Sequence, residues 1–175
     1  LPNNLIIHLQ RFEFDIEIMA RNKVNDYLEF DHKINLEPYT KEGLARKENP
    51  DSEENSTPQK YYDYELSGIL IHTGGTEAGH YYSFIKDQTK NEWFQFNDKR
   101  VTRFNPELIP DQCFGGDYTR RVYNSNKKQY ETKVIEKPYS AYMLFYTRSN
   151  PEKLPVETEI PLSEAPKTVP ELLYK

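Results

Sequence analysis

The chain has 175 residues, of which 36% are hydrophobic and 29% are charged, so it can form one domain with a real core and still carry solvated loops. Its 23 Lys and Arg residues against 28 Asp and Glu residues give a net charge of −5, which does not favour a nucleic-acid surface but leaves basic protein partners open. The single cysteine permits no internal disulfide, and the sequence contains no CxxC pair, no HExxH motif and no apolar run of membrane-spanning length. The composition therefore predicts a reducing compartment, no metal or other cofactor, and no membrane partner.

Strand signals dominate from the first residues onward. The β-branched apolar run Leu5-Ile6-Ile7-His8-Leu9 comes first, and runs rich in β-branched and aromatic residues follow at residues 64–72, 81–86, 93–96 and 141–146. Together these runs predict a mostly antiparallel sheet.

One short helix is predicted after the fourth of these runs. Asn105 is a typical N-cap and Pro106 suits the first helical position, although Pro110 would keep the helix short. Gly115 and Gly116 would end it.

Three segments are predicted to lie outside the core. Residues 41–59 have almost no apolar side chains and are interpreted as a flexible insertion, and residues 120–137 are charged and predicted as a second surface excursion. Residues 149–175 have the proline and charge content of a linker or tail, so the domain is placed at residues 1–148.

The strongest functional signal joins two of the predicted strands. Gly79 allows close approach to a substrate, His80 can carry a proton, and Asn97 or Asp98, which follow His80 by 17 or 18 residues, can orient the imidazole. Asn97 is the first choice for that role. Consecutive strand residues point to opposite faces, so Asn97 and Asp98 cannot both reach His80 without a local bend. Without His80, Asn97 and Asp98 would indicate only a turn.

The remaining histidines and the cysteine receive structural interpretations. His8, His32 and His72 are predicted to be ordinary strand residues. A reactive thiolate needs a helix N-terminus or a cationic neighbour, whereas Cys113 falls at the C-terminus of the predicted helix. Cys113 is therefore predicted to be a small buried apolar residue and not a nucleophile.

Several ordered segments resemble the C-terminal half of the catalytic domain of the ubiquitin-specific proteases, which are papain-like cysteine deubiquitinases. Four motifs carry the resemblance: residues 1–12 (LPNNLIIHLQRF), 79–81 (GHY), 93–98 (WFQFND) and 141–146 (AYMLFY). Further segments are most similar to the very large fat-facets-type members: residues 25–30 (NDYLEF), 36–40 (LEPYT) and 112–118 (QCFGGDY). The resemblance implies an α+β fold in which this chain is the mostly antiparallel half, called the palm, with one short helix and long insertions. The family's cysteine segment is expected upstream, outside this chain.

The resemblance also implies a reaction and its residues. A thiolate from the upstream segment would attack the carbonyl of the ubiquitin C-terminal glycine in an isopeptide bond, with His80 as general acid and base. Asn97 would orient His80, and Asp98 would assist.

The resemblance further implies partners and a substrate channel. The partners are ubiquitin and ubiquitinated proteins, and the expected location is the cytoplasm and also the nucleus. Gly74, Gly75, Gly79 and Tyr81 would bind the ubiquitin tail, on a loop that closes over it with Gly74 and Gly75 as hinges, and residues 14–24 would form the facing loop. Two alternatives are a ubiquitin-binding module without a competent cysteine and an unrelated β-rich interaction domain.

Overall fold

The structure is a computed structural model, and it describes residues 1–48 and 59–150. Most of the predicted insertion, residues 49–58, and most of the predicted tail, residues 151–175, lie outside the described residues. The described strands are β1 (Asn4–His8), β2 (Phe12–Asp15), β3 (Ala20–Lys23), β4 (Lys33–Asn35), β5 (Asp63–Gly74), β6 (Gly79–Asp87), β7 (Glu92–Asn97), β8 (Arg100–Phe104), β9 (Asp117–Asn124), β10 (Gln129–Glu136) and β11 (Tyr139–Arg148). The described helices are α1 (Lys41–Glu48), α2 (Ile109–Cys113) and the short 3-10 helices Glu37–Tyr39, Gln59–Tyr62 and Pro106–Leu108.

Seven strands form one sheet in which every pair of neighbours is antiparallel. The strand order is β1, β11, β5, β6, β7, β8, and β4 pairs with the beginning of β5. Each run predicted as a strand contributes to this sheet. The prediction of a mostly antiparallel fold is confirmed.

The central pair of the sheet, β5 and β11, contains two bulges. Ser67 is an extra residue on β5, and Tyr142 is an extra residue on β11, because each is skipped in the pairing register. One extra residue moves the following side chains to the other face of a strand. Leu66 and Ile69 are both buried for this reason, although strict alternation would separate them.

The core lies on one face of the sheet, where α2 packs against β11. Aromatic rings fill much of it: Phe84 stacks on Phe104 with ring centroids 3.8 Å apart, and Phe30 meets Phe114 edge-on at 4.8 Å. Burying a large apolar side chain stabilises the fold by roughly 1.5–3 kcal/mol. The buried cluster consists of Tyr64, Leu66, Ile69, Ile71, Phe84, Trp93, Ile109, Cys113, Phe114, Ala141, Leu144 and Tyr146.

The helix predicted from Asn105 is present, with a 3-10 turn at its start. Oδ1 of Asn105 accepts a hydrogen bond of 3.1 Å from the amide of Glu107, so Asn105 caps Pro106–Leu108, and α2 continues from there. Gly115 and Gly116 follow with φ values of +76° and +74°. A side chain at Gly115 would meet the carbonyl of Asn25, so these glycines let the chain turn sharply out of the helix.

The structure has a second α-helix that the sequence analysis does not predict. Residues 41–48 of the predicted flexible insertion form α1, in which Oγ1 of Thr40 accepts a hydrogen bond from the amide of Gly43 at 3.0 Å. Arg46 forms an ion pair with Glu37, which ties the helix to the preceding turn. No residue of α1 is buried, so capping and charge form this helix in place of an apolar face.

The predicted surface excursion at residues 120–137 is a regular β-hairpin. β9 and β10 pair in register over their full lengths and form a two-stranded sheet of their own. Their side chains are mostly exposed, so the surface location agrees with the prediction, but the strands are not anticipated from the sequence. The apolar residues of this segment are too scattered to produce a clear alternating pattern.

Two further features can be stated for residues 1–48 and 59–150 alone. No helix there is long and apolar enough to cross a membrane. In the same residues, no group of three or more His, Cys, Asp or Glu side chains is arranged to hold a metal ion.

Candidate active site

His80, Asn97 and Asp98 lie together at one end of the sheet, where β6 begins and β7 ends. Nε2 of His80 is 2.6 Å from Oδ1 of Asn97. An amide oxygen can only accept a hydrogen bond, so Nε2 donates and carries the ring proton, which leaves a lone pair on Nδ1. His80 can therefore accept a proton from a group that approaches the Nδ1 side of the ring.

Asp98 reaches the same imidazole through a bend in the backbone. Its φ is +50°, and its Oδ2 lies 3.9 Å from Nε2 of His80. Asp98 and Lys99 turn the chain between paired Asn97 and Arg100, so the strand alternation ends at Asn97. The carboxylate is exposed and too distant for a hydrogen bond, so it acts on the ring only through its charge.

Tyr82 supports the imidazole from the next position on the same face of β6. The two rings are nearly parallel, with centroids 6.5 Å apart. Burial, with smaller contributions from Cys113 and Tyr139, raises the pKa of Tyr82 to about 12, so its hydroxyl stays protonated at neutral pH. His80 itself keeps 43% of its side-chain surface exposed, which leaves it accessible to a reacting group.

A cavity of about 440 Å³ opens between the β2–β3 hairpin and the turn that connects β5 to β6. The hairpin contributes aromatic and charged residues, and the turn and the strands beside it contribute the remaining residues. The lining residues are Phe12, Glu13, Phe14, Arg21, His72, Thr76, Glu77, Ala78, Gly79 and Tyr81. An elongated segment with apolar and basic side chains would find both apolar contacts and the Glu13 and Glu77 carboxylates there.

The cavity and His80 meet at the first residues of β6. Consecutive strand residues point to opposite faces, so Gly79 and Tyr81 line the cavity while His80 does not. A Cβ atom at Gly79 would overlap Nε2 of His72 and crowd the carbonyl of Thr73 at 3.0 Å. Gly79 therefore keeps the end of the cavity open beside His80.

His72 forms part of the cavity wall as a neutral ring. It is 4% exposed and packs edge-on against Phe12, with ring centroids 4.9 Å apart, and against Tyr81 at 4.7 Å. Burial lowers the pKa of His72, and the positive charge of Lys23 lowers it further. His72 is thus uncharged at neutral pH and provides shape in the wall.

Lys23 ties the hairpin to the turn that carries Gly74. Its Nζ donates to the carbonyls of His72, Gly74 and Pro138 at 3.2, 3.1 and 2.8 Å. Burial lowers the pKa of Lys23 to about 8, against the opposing effect of Glu136. Two of these carbonyls belong to β5, and the third belongs to the segment before β11. The Lys23 ammonium group therefore joins the β2–β3 hairpin to β5 and to that segment.

Cys113 is shielded from solvent. It is completely buried at the C-terminus of α2, and burial raises the pKa of its thiol well above the ordinary value. A buried, protonated thiol at the negative end of a helix is a poor nucleophile.

A family model described as ubiquitin carboxyl-terminal hydrolase matches residues 1–146. The chain belongs to the ubiquitin carboxyl-terminal hydrolase family. The resemblance found in the sequence motifs is thereby confirmed.

Two relatives illustrate the match. The chain is 38% identical to mouse ubiquitin carboxyl-terminal hydrolase 24 over an alignment 175 positions long. That alignment covers 89% of this chain and 7% of the mouse protein. It is also 38% identical to the Drosophila melanogaster probable ubiquitin carboxyl-terminal hydrolase FAF over 169 residues, covering 91% of this chain and 6% of that protein. The chain thus spans a small part of the relatives it matches, and they include the fat-facets type that its sequence resembles.

Solved structures agree with the fold. One is the SAGA Ubp8/Sgf11/Sus1/Sgf73 deubiquitinase module bound to ubiquitin aldehyde, with a TM-score of 0.56 and 26% identity over 86% of this chain and 25% of that chain. Another is the yeast SAGA deubiquitinase module with a point mutant of Sgf73, with a TM-score of 0.54 and 26% identity over 86% of this chain and 26% of that chain.

In this ubiquitin carboxyl-terminal hydrolase chain, the predicted site residues occupy distinct places. His80, Asn97 and Asp98 form one cluster, and Gly79 and Tyr81 line the cavity beside it. Gly74 is paired with Gly79 at the end of the β5–β6 ladder, and its amide donates to the carbonyl of Pro138 at 2.9 Å. Gly75 lies outside the cavity lining, and a Cβ atom there would meet nothing within 4 Å. The predicted loop over the ubiquitin tail is thus short in the structure, because Gly74 and Gly79 belong to the ladder and residues 75–78 form the connection.

Sequence reasoning misses several residues of the candidate site. The segment predicted as a loop facing the channel, residues 14–24, forms most of the β2–β3 hairpin, which supplies Phe14 and Arg21 to the cavity. His72 has a structural interpretation in the sequence analysis, although it lines the same cavity. Lys23 carries no sequence signal, because its partners are backbone carbonyls that are distant in the chain.

Proposed function

We propose that the protein containing this chain is a cysteine-type deubiquitinase, which hydrolyses the isopeptide bond after the C-terminal glycine of ubiquitin. The observation that supports it most is the His80–Asn97 pair, with a 2.6 Å hydrogen bond, at the end of an open cavity in a chain of this family. The ubiquitin-aldehyde complex of the similar deubiquitinase module supports ubiquitin as the ligand.

His80 performs the proton transfers in this proposal. Nδ1 accepts the proton of a cysteine thiol supplied by a part of the protein outside this chain, and the thiolate attacks the glycine carbonyl. The imidazolium then donates that proton to the departing lysine amine, leaving an acyl-enzyme. Water, losing a proton to His80, attacks the acyl carbon, and the thiol leaves with that proton. Asn97 keeps Nδ1 directed at the sulfur throughout, and Asp98 faces the positive charge on the ring.

The cavity is the proposed channel for the ubiquitin tail. Its wall of Phe12, Phe14 and Tyr81 gives apolar contacts, and Glu13 and Glu77 complement basic side chains on the tail. The backbone at Gly79 allows the closely approaching glycines at the end of the tail to reach His80. The proposed proton transfers call on no cofactor.

The test compares His80→Ala with His32→Ala in the complete protein, using ubiquitin that carries a fluorogenic group on its C-terminus. His32 is exposed on the segment before β4 and is absent from the His80 cluster, so it is the matched control. We expect His80→Ala to lower kcat/KM by at least about 10²–10⁴-fold, the usual contribution of general acid–base catalysis. Equal activity of the two variants would refute the assignment.

A ubiquitin-binding module without hydrolysis is the second candidate, because the chain's one cysteine, Cys113, is buried. A ubiquitin probe with a C-terminal electrophile separates the two candidates. An active enzyme becomes covalently labelled at a cysteine outside this chain. If the complete protein binds ubiquitin but remains unlabelled, it is a ubiquitin-binding module without hydrolase activity.

A further inference from the structure

The β9–β10 hairpin presents a face that the proposed reaction does not use. Residues directly opposite one another in an antiparallel pair share a face, and here one face combines the pairs Thr119–Val134, Arg121–Thr132 and Tyr123–Tyr130. We call it the tyrosine face. All of its members are exposed: Thr119, Arg121, Tyr123, Tyr130, Thr132 and Val134.

Three members of the tyrosine face are large hydrophobic side chains that are exposed. Tyr123, Tyr130 and Val134 are 52%, 64% and 67% exposed. Removing such neighbouring apolar side chains from water is favourable, so a bound partner would be stabilised by covering them.

The aromatic rings and the arginine of the tyrosine face pack against one another. The rings of Tyr123 and Tyr130 meet edge-on with centroids 5.2 Å apart, and the Arg121 guanidinium lies 5.7 Å from the centre of the Tyr130 ring. Tyrosine and arginine dominate the energetics of protein interfaces, since both combine apolar area with directional donors. Arg121 takes part in no salt bridge among the described residues, so its charge is available to a partner.

The charge of the hairpin is opposite to that of the chain. Residues 117–136 contain five Lys and Arg and three Asp and Glu, giving +2, so the remainder of the chain carries −7 and the total is −5. Of these cations Arg121 lies on the tyrosine face, and Arg120 and Lys133 lie on the opposite face of the same two strands. Asp117 and Glu136 continue the tyrosine face at the base of the hairpin, so the part of the hairpin beyond them is the basic part that attracts an acidic segment.

We infer that the tyrosine face is a docking surface for an acidic segment of a partner protein, with an apolar side chain against Tyr123, Tyr130 and Val134 and a carboxylate against Arg121. Two competing occupants fit less well. The remainder of the chain carries −7, which opposes a nucleic-acid backbone that extends beyond the hairpin. A symmetric contact with a second copy would place one Arg121 near the other.

The test measures binding of a fluorescein-labelled peptide, Glu-Asp-Phe-Asp-Glu-Leu-Asp-Glu, to the complete protein by fluorescence anisotropy. Two matched peptides replace the acidic residues with Lys or the apolar residues with Ser. We expect the acidic, apolar peptide to bind most tightly and to weaken as salt is added. Arg121→Glu and Tyr130→Ser should each weaken it about tenfold or more, as interface hot spots do.

The controls are Lys90→Glu and Tyr39→Ser, which make the same kinds of change at exposed positions outside the hairpin. Both should bind like the unaltered protein. The inference fails if the peptide does not bind, or if the hairpin variants bind as well as the controls. Tighter binding of a single-stranded oligonucleotide, or a dimer that dissociates in Tyr130→Ser, would also overturn it in favour of those occupants.

Discussion

At the scale of single residues, Asn97 and Asp98 are expected to contribute unequally to the orientation of His80. Asn97 makes the 2.6 Å hydrogen bond that fixes the ring, while Asp98 is exposed and 3.9 Å away. A fixed tautomer is required at every proton transfer, whereas an exposed charge is weakened by solvent and salt.

We therefore expect Asn97→Ala to reduce kcat/KM more than Asp98→Ala in the complete protein. The loss for Asn97→Ala should approach the roughly 10²-fold lower end of general acid–base effects, and the smaller loss for Asp98→Ala should shrink further in high salt. Steady-state kinetics with a fluorogenic ubiquitin substrate measure both. A greater loss for Asp98→Ala at equal stability would move the orienting role to Asp98.

Gly79 gives a second prediction at this scale. A methyl group there would overlap Nε2 of His72, whereas one at Gly75 would meet no atom within 4 Å. We expect Gly79→Ala to lower stability by about 1–3 kcal/mol, the usual cost of overpacking, and to raise KM by narrowing the channel. Gly75→Ala is the matched control and should retain both properties. Denaturant unfolding and steady-state kinetics check the pair, and an unaffected Gly79→Ala would show that the passage is wider than proposed.

The proton on Lys23 predicts a pH dependence. Burial lowers its pKa from the ordinary 10.5 to about 8 in the folded chain, so between these values the unfolded chain binds a proton that the folded chain lacks. Stability of the native protein should therefore rise relative to Lys23→Met as the pH increases from 8 towards 10.5. Urea unfolding across this range measures the difference, with Lys90→Met as the exposed control. A difference that falls as the pH rises would contradict the assigned burial.

The sequence predicts the residues of the candidate site that act through their own side-chain chemistry, but not those that act through packing or backbone contacts. His80, Asn97 and Asp98 stand out because their types and spacing suit proton transfer. His72 and Lys23 do not stand out in the sequence. His72 forms part of the cavity wall, and Lys23 donates to carbonyls of residues that lie 49 to 115 positions away in the chain. The bend that brings Asp98 towards His80 is a backbone feature that residue types alone leave open.

At the scale of elements, apolar strands are predictable and polar ones are not. The run from Leu5 to Leu9 favours a strand because β-branched residues suit the extended backbone and because Leu5, Ile7 and Leu9 pack against the core. The β9–β10 hairpin and α1 bury little apolar surface, so local hydrogen bonds, caps and ion pairs decide their structure. Those contributions are individually small and leave no periodic hydrophobic pattern.

The turn between β5 and β6 is expected to change its amide hydrogen exchange when ubiquitin binds. The amide of Gly75 donates to the carbonyl of Ala78 across the turn at 3.0 Å, so the amides of residues 76–78 should exchange rapidly without ligand and become protected when ubiquitin aldehyde binds. Residues 41–48 bury no side chain and should exchange rapidly in both states. Hydrogen exchange of the complete protein, read by mass spectrometry, measures both segments. Protection of residues 41–48 with no change at residues 76–78 would place the channel on another face.

At the scale of the whole molecule, the two ends of the described domain hold each other. β1 pairs with β11, and the buried Arg148 donates to the carbonyl of Pro2 at 3.1 Å while its guanidinium covers the Tyr61 ring at 3.8 Å. The first and last strands therefore complete one sheet with its own core.

The isolated chain should accordingly fold yet lack activity. It contains His80 and its orienting residue, but its one cysteine is buried and protonated. We expect cooperative unfolding by circular dichroism and no turnover of fluorogenic ubiquitin above background. Adding the upstream part of the protein should restore turnover. Activity that persists in the isolated chain and disappears in Cys113→Ala would overturn the roles of both residues.

The bulges in β5 and β11 also set limits on how this sheet can change in length. From Leu66 to Ile71 and from Tyr146 to Ala141 the two strands advance equally, because the surplus residue on one strand is offset by a surplus residue on the other. Deleting either Ser67 or Tyr142 alone would leave the two ends of the ladder out of step by one residue, or about 3.3 Å along the strand. The end that carries Gly74 would slide past its neighbours, while the opposite end stayed in place. Natural insertions and deletions in these strands are therefore expected to occur in compensating pairs.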